Sequence, residues 1–104
     1  MAQQTKLRLR RNGDRTEVLV LVKHAMETGT RVDQDTRLAV AADYIDRMTF
    51  ALNGKAVAEA RLGPGVAADP LTAIALEKVE PGDRVSVVWS DSQGAAGRAE
   101  VVVD

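Results

Sequence analysis

Apolar and polar residues alternate along much of this chain. From Thr5 to Arg11, Leu7 and Leu9 face one way while Lys6, Arg8 and Arg10 face the other. A period of two marks a half-buried strand. Asn12-Gly13-Asp14 is a turn signal. A second strand is expected over Thr16 to Lys23, centred on Val18-Leu19-Val20-Leu21-Val22. Val18, Val20 and Val22 form one face of it, Leu19 and Leu21 the other. A sandwich strand ordinarily keeps one face wet. Here both faces are apolar, so the outer one calls for cover, from a loop of the same chain or from a partner chain.

His24 to Leu38 has no clean period, contains Gly29, Asp33 and Asp35, and reads as a long loop. Leu38 to Asp43 stays open between loop, helix and strand. Leu38, Ala42 and Ile45 fit a helical stripe, whereas Met48, Phe50 and Leu52 alternate as a strand. A strand from Tyr44 is favoured because Asn53-Gly54, a strong hairpin turn, follows. Lys55 to Leu62 returns with Ala56, Ala58, Ala60 and Leu62 on one face. Lys55, Glu59 and Arg61 keep most of the other face polar. Gly63-Pro64-Gly65 and Asp69-Pro70 punctuate a second loop. A strand over Leu71 to Lys78 leads to a turn at Glu80-Pro81-Gly82-Asp83. Arg84 to Ser90 sets Val85, Val87 and Trp89 on one face, with Trp89 as core anchor. Asp91 to Gly97 reads as a hairpin loop and Arg98 to Val103 as the closing strand. About seven short, regularly spaced strands predict an all-β, immunoglobulin-like antiparallel sandwich. It is expected to be a single domain over residues 1–104.

Composition narrows this picture. A length of 104 residues supports one hydrophobic core. At 45% apolar and 28% charged the chain falls in the range of soluble globular domains. Only Tyr44, Phe50 and Trp89 are aromatic, so the core must be mainly Val, Leu, Ile and Ala. Acids and bases intermix to a net charge of −1, which gives no overall attraction to nucleic acid or an anionic membrane. The basic stripe Lys6, Arg8, Arg10, Arg11 lacks interleaved aromatics. It reads as a solvated strand face that discourages edge-to-edge pairing. No apolar run approaches the ~20 residues that cross a bilayer. Met1 to Arg11 is polar and basic without an apolar h-region, so no secretory signal is expected in this chain.

The chain contains no cysteine, which excludes a disulfide, a thiolate nucleophile, an iron–sulfur cluster and a blue-copper site. His24 is the sole histidine, so any Ser-His-Asp site must use it with Ser86, Ser90 or Ser92. No strand-turn-helix elbow surrounds those serines. His24, Met26 and Glu27 lie close in sequence, but one imidazole and a thioether make a thin ligand set for copper or zinc. Asp33-x-Asp35 begins like a calcium loop, yet Arg37 stands at the next ligand position with no glycine after it. The glycines form no phosphate-binding fingerprint. Nothing in the residues argues for an enzyme, a cofactor or a metal centre.

One segment carries more. His24-Ala25-Met26-Glu27-Thr28-Gly29-Thr30-Arg31-Val32-Asp33 resembles the SoxZ family signature, His-Pro-Met-Glu-Thr-Gly with Arg and Asp two and four residues beyond the glycine. Further matches follow in order: Tyr44-Ile45, Phe50-x-x-Asn53-Gly54-Lys55-x-Val57, Leu62-x-Pro64, Asp69-Pro70, Trp89-Ser90-Asp91 and Gly94. Ala25 stands where the family has proline, Asp69 where it has asparagine, and Val40-Ala41-Ala42 where proline is frequent.

The resemblance implies an immunoglobulin-like, non-catalytic subunit of the SoxYZ heterodimer. Its SoxY partner carries a cysteine on a flexible C-terminal arm, where thiosulfate-derived sulfur intermediates are held. Periplasmic location follows from the resemblance, with export on the signal-bearing partner, as does transient contact with other Sox enzymes. The candidate partner-binding residues are His24, Met26, Glu27, Thr28, Gly29 and Arg31 of the signature loop, and Leu19 and Leu21 of the doubly apolar strand. The competing reading is a free-standing ligand- or metal-binding sandwich using His24, Met26 and Glu27.

Overall fold

A computed structural model describes residues 5–63 and 65–104. Met1 to Gln4 and Pro64, which the sequence places in the basic start and the Gly63-Pro64-Gly65 turn, lie outside the described residues. Seven strands follow in order: β1 Thr5–Asn12, β2 Arg15–Val22, β3 Ile45–Leu52, β4 Lys55–Arg61, β5 Leu71–Glu77, β6 Arg84–Asp91 and β7 Ala96–Val102. No helix occurs among the described residues. The strands form a three-stranded sheet, β1-β2-β5, and a four-stranded sheet, β4-β3-β6-β7, with every pairing antiparallel. This is the immunoglobulin-like sandwich that the alternation predicts.

The period-two residues build the core between the sheets. Val18, Val20 and Val22 from β2 meet Met48 and Phe50 from β3 and Val85, Val87 and Trp89 from β6, all fully buried. The Trp89 indole N–H donates to Thr5 Oγ1 at 2.8 Å, which ties the start of β1 to β6. Local chemistry sets the hairpins. Asn53 and Gly54 both have positive φ, 52° and 83°, as a two-residue type I′ turn requires.

The structure decides two points the sequence left open and changes two expectations. First, residues 38–44 are neither helix nor free loop. Isolated bridges Val32↔Ala39 and Glu27↔Asp43 fold residues 27–43 into an irregular two-stranded arm. Asp33 shapes its tip, its carboxylate accepting from the N–H groups of Asp35 and Thr36.

Second, the small-residue face of β4 is shorter than the alternation suggests. Phe50 pairs with Ala58 and Ala51 with Ala56, so a bulge at Val57 interrupts the register. Ala58, Ala60 and Leu62 stay half-buried, while Ala56 is exposed.

Third, the closing strand begins at Ala96, which pairs with Ser90, so the last hairpin loop is shorter than Asp91 to Gly97. Gly97 sits in the strand because the Trp89 indole fills its side-chain space. A Cβ there would lie 2.5 Å from the ring.

Fourth, no loop among the described residues covers the outer face of β2. Leu21 remains 37% exposed, and its cross-strand neighbour Leu71 68%.

Candidate functional site: the signature loop and the uncovered sheet face

The signature loop leaves the end of β2 and is held from below by His24. The backbone of His24 is clamped first. Its N–H donates to Asp69 Oδ1 at 3.0 Å, and its carbonyl accepts from the Asp69 N–H at 2.8 Å. This pins the loop to the chain entering β5. The buried ring then stands edge-on to Trp89, with centroids 5.8 Å apart and planes at 88°. Both ring nitrogens are engaged. Nδ1 accepts from the Met26 N–H at 3.1 Å, and Nε2 lies 2.9 Å from Asp91 Oδ2. Because an N–H points at Nδ1, the proton sits on Nε2 and is donated to Asp91. Met26 adopts a positive φ of 54°, a strained geometry for a non-glycine residue, as it turns its N–H onto the imidazole.

Asp91 closes the last hairpin from inside. Its Oδ1 accepts from the N–H groups of Gln93 and Ala95 at 3.0 and 2.8 Å. Burial pushes its carboxyl up, but the His24 hydrogen bond and those two N–H groups outweigh burial and hold it below the usual range. Asp43 behaves oppositely. Burial first, then the negative charge of Asp91, raises its carboxyl above the ordinary value. Asp43 Oδ1 lies 3.4 Å from His24 Nε2 and is buried without a hydrogen-bond donor among the described residues.

His24, Asp43 and Asp91 thus bring potential metal-ligand atoms within 4.8 Å of one another. Imidazole chemistry argues against a metal there. A metal on Nε2 would leave Nδ1, which faces the Met26 N–H, without its proton, so the ring would have to be an anion. Ligating histidines instead donate their second N–H to an acceptor. The set His24, Met26 and Glu27 does not converge either. The Met26 sulfur accepts from the Ile45 N–H at 3.4 Å inside the core, and the Glu27 carboxylate is taken by Arg31. Among the described residues no serine hydrogen-bonds to the His24 ring. Ser92 Oγ accepts from the Tyr44 N–H, and Ser90 Oγ donates to Asp46.

The remaining signature residues form the visible part of the loop. Arg31 grips Glu27 through Nε and Nη2 at 3.1 and 2.8 Å, and that hydrogen bond lowers the Glu27 carboxyl and raises the Arg31 guanidinium. Thr28 and Thr30 share a hydroxyl hydrogen bond of 2.6 Å. Gly29 has a φ of 89°, and a Cβ there would come 3.1 Å from Ala42 Cβ on the returning strand of the arm. His24 and Met26 are therefore buried, Thr28 and Arg31 exposed, and Glu27 and Gly29 half-buried. Leu19 and Leu21 lie apart from the loop arm on the outer face of β2, with Leu19 half-buried among its sheet neighbours. The local sequence pattern does not single out Asp43 as a partner for His24. Asp91 had a signal, since the inward alternation Val85, Val87, Trp89 continues to it.

These observations define an immunoglobulin-like domain with a preformed loop arm, a fully engaged histidine and one uncovered sheet face. The family model for the sulphur oxidation protein SoxZ matches residues 5–102, and the chain belongs to the SoxZ family. It is thereby a component of the Sox sulfur-oxidation system. Among curated proteins, none matches this chain.

Proposed function

We propose that this chain is the scaffold subunit of a SoxYZ-type heterodimer. It holds a SoxY-like partner whose cysteine carries thiosulfate-derived sulfur, and it does no chemistry itself. One observation carries this reading: a member of a sulfur-oxidation family has no cysteine to bind sulfur. The engaged state of His24 supports it, because an imidazole held by Met26 and Asp91 is not poised as a general base. The reactive thiol then belongs to another chain. Within the loop, His24 and Met26 act from inside, holding Glu27, Thr28, Gly29 and Arg31 in place for the partner or a visiting Sox enzyme. Leu19 and Leu21 supply apolar contact. The complex works in the periplasm, and this chain crosses the membrane with its signal-bearing partner.

Co-expression with a SoxY-like chain tests the proposal. A stable complex of the two is expected on size exclusion. A soluble, folded preparation that never retains the partner overturns it. Deleting the partner gene is expected to leave this chain in the cytoplasm.

A further inference from the structure

We infer that the outer face of the three-stranded sheet, at the end where the signature loop leaves, is the seat of the partner subunit. The partner's matching surface is apolar with a carboxylate rim. This rests on the reading of the chain as a partner-binding subunit and names the face and the chemistry of the contact.

The two outer faces of the sandwich differ in kind. On the four-stranded sheet, Arg47 and Arg61 both reach Glu59, at 3.4 and 3.0 Å. Val57, Val88 and Val102 are exposed on this sheet, but Val88 lies between Thr49 and Arg98, Val102 is opposite Arg84, and Val57 sits in the bulge of β4. Exposed valines interleaved with polar neighbours in this way need no partner. On the three-stranded sheet the register places Leu21 between Lys6 and Leu71, and Leu19 between Arg8 and Ala73. Leu19, Leu21 and Leu71 thus form one contiguous apolar patch. Together with Lys6 and Arg8 they line a shallow depression of about 280 Å³.

Charge is graded along this face. At the far end Arg10 pairs with Glu17, and Arg15 with Glu77. At the apolar end Lys6 and Arg8 have no ion pair among the described residues. An apolar centre beside unanswered cations has the composition of an interface core with a charged rim. A partner carrying carboxylates opposite Lys6 and Arg8 would complete it and speed the encounter.

The position of the patch sets its extent. A face of three strands, each seven or eight residues long, offers on the order of 400 Å² in projection. A stable contact takes about 800 Å² per partner. Adjoining surface enlarges the contact. Leu21 lies three residues before His24, and Asp69, clamped to His24, lies two residues before Leu71. The root of the signature loop at His24 therefore adjoins this end of the patch, and a partner seated on the face would extend toward the arm that carries Glu27 to Arg31.

Binding of the purified partner, measured by biolayer interferometry, tests this. Leu21→Glu and Leu71→Glu are expected to weaken affinity about tenfold or more. Lys6→Glu with Arg8→Glu is expected to slow association and to flatten its salt dependence. Val88→Glu, on the opposite face, is expected to leave affinity unchanged. Circular dichroism and thermal melting check that each variant is folded, and the exposed Lys6/Arg8 pair keeps the test alive if a leucine variant does not fold. Wild-type binding that survives all patch variants overturns the face while leaving the scaffold reading intact. No wild-type binding at all overturns the scaffold reading instead. Should the chain alone form a dimer that Leu21→Glu dissolves, the face belongs to a second copy and the inference is wrong.

Discussion

His24 Nε2 donates to Asp91 Oδ2 at 2.9 Å, across 67 residues of sequence, from the loop after β2 to the end of β6 in the other sheet. This bond joins the root of the signature loop to the last hairpin. Replacing Asp91 with Ala strands the buried imidazole N–H and removes the acceptor of the Gln93 and Ala95 N–H groups. We expect a loss of about 3 kcal/mol in urea unfolding. Asp91→Asn keeps an acceptor and is expected to lose clearly less. Equal losses for the two would show that shape, not hydrogen bonding, is what the carboxylate supplies.

The two carboxylates pull stability in opposite directions with pH. Asp91 is held down in the folded chain, so its contribution is present above the unfolded carboxylate value of about 4 and is lost as pH falls through its lower folded value. Asp43 is held up, so its contribution is greatest below that value and is lost as pH rises through its higher folded value. Asp43→Asn is therefore expected to raise the melting temperature at neutral pH relative to wild type. The gain should vanish at acid pH. Melting curves from pH 3 to 8 decide this, and a lower melting temperature at pH 7 for the variant would refute it.

Gly97 is required by volume, not by backbone angle. Gly97→Ala puts a methyl group 2.5 Å from the Trp89 ring. Overpacking of this kind costs about 1–3 kcal/mol. A lower melting temperature and a changed tryptophan emission maximum are expected together. An unshifted spectrum would mean the indole does not lie against this strand.

Arg31→Glu separates recognition from folding. The Glu27–Arg31 pair is exposed, so its loss is expected to leave melting nearly unchanged. Partner affinity should fall. Unchanged affinity would remove the loop from the contact.

Metal analysis of the purified chain is expected to find no stoichiometric zinc or copper, because Nδ1 of His24 faces an N–H. Stoichiometric metal lost on His24→Ala would revive the metal-binding reading.

Much of this molecule is legible in the chain alone. Alternation at a period of two is a local property, so it assigns strands and their inward faces without reference to the rest. Val85, Val87 and Trp89 are placed on one inward face on that ground, and the Asn53-Gly54 turn by its own backbone preference. The ordered motifs led to the family. Cross-sheet and cross-strand geometry lies beyond a local pattern. The bulge at Val57, the early start of β7 at Ala96, the meeting of His24 with Asp43 and Asp91, and the lack of cover over Leu21 and Leu71 arise only when distant strands choose their registers. Sequence alone showed that the second face of β2 was apolar. The folded chain decided that none of its own described loops lies over it, because residues 27–43 are bound into their own arm.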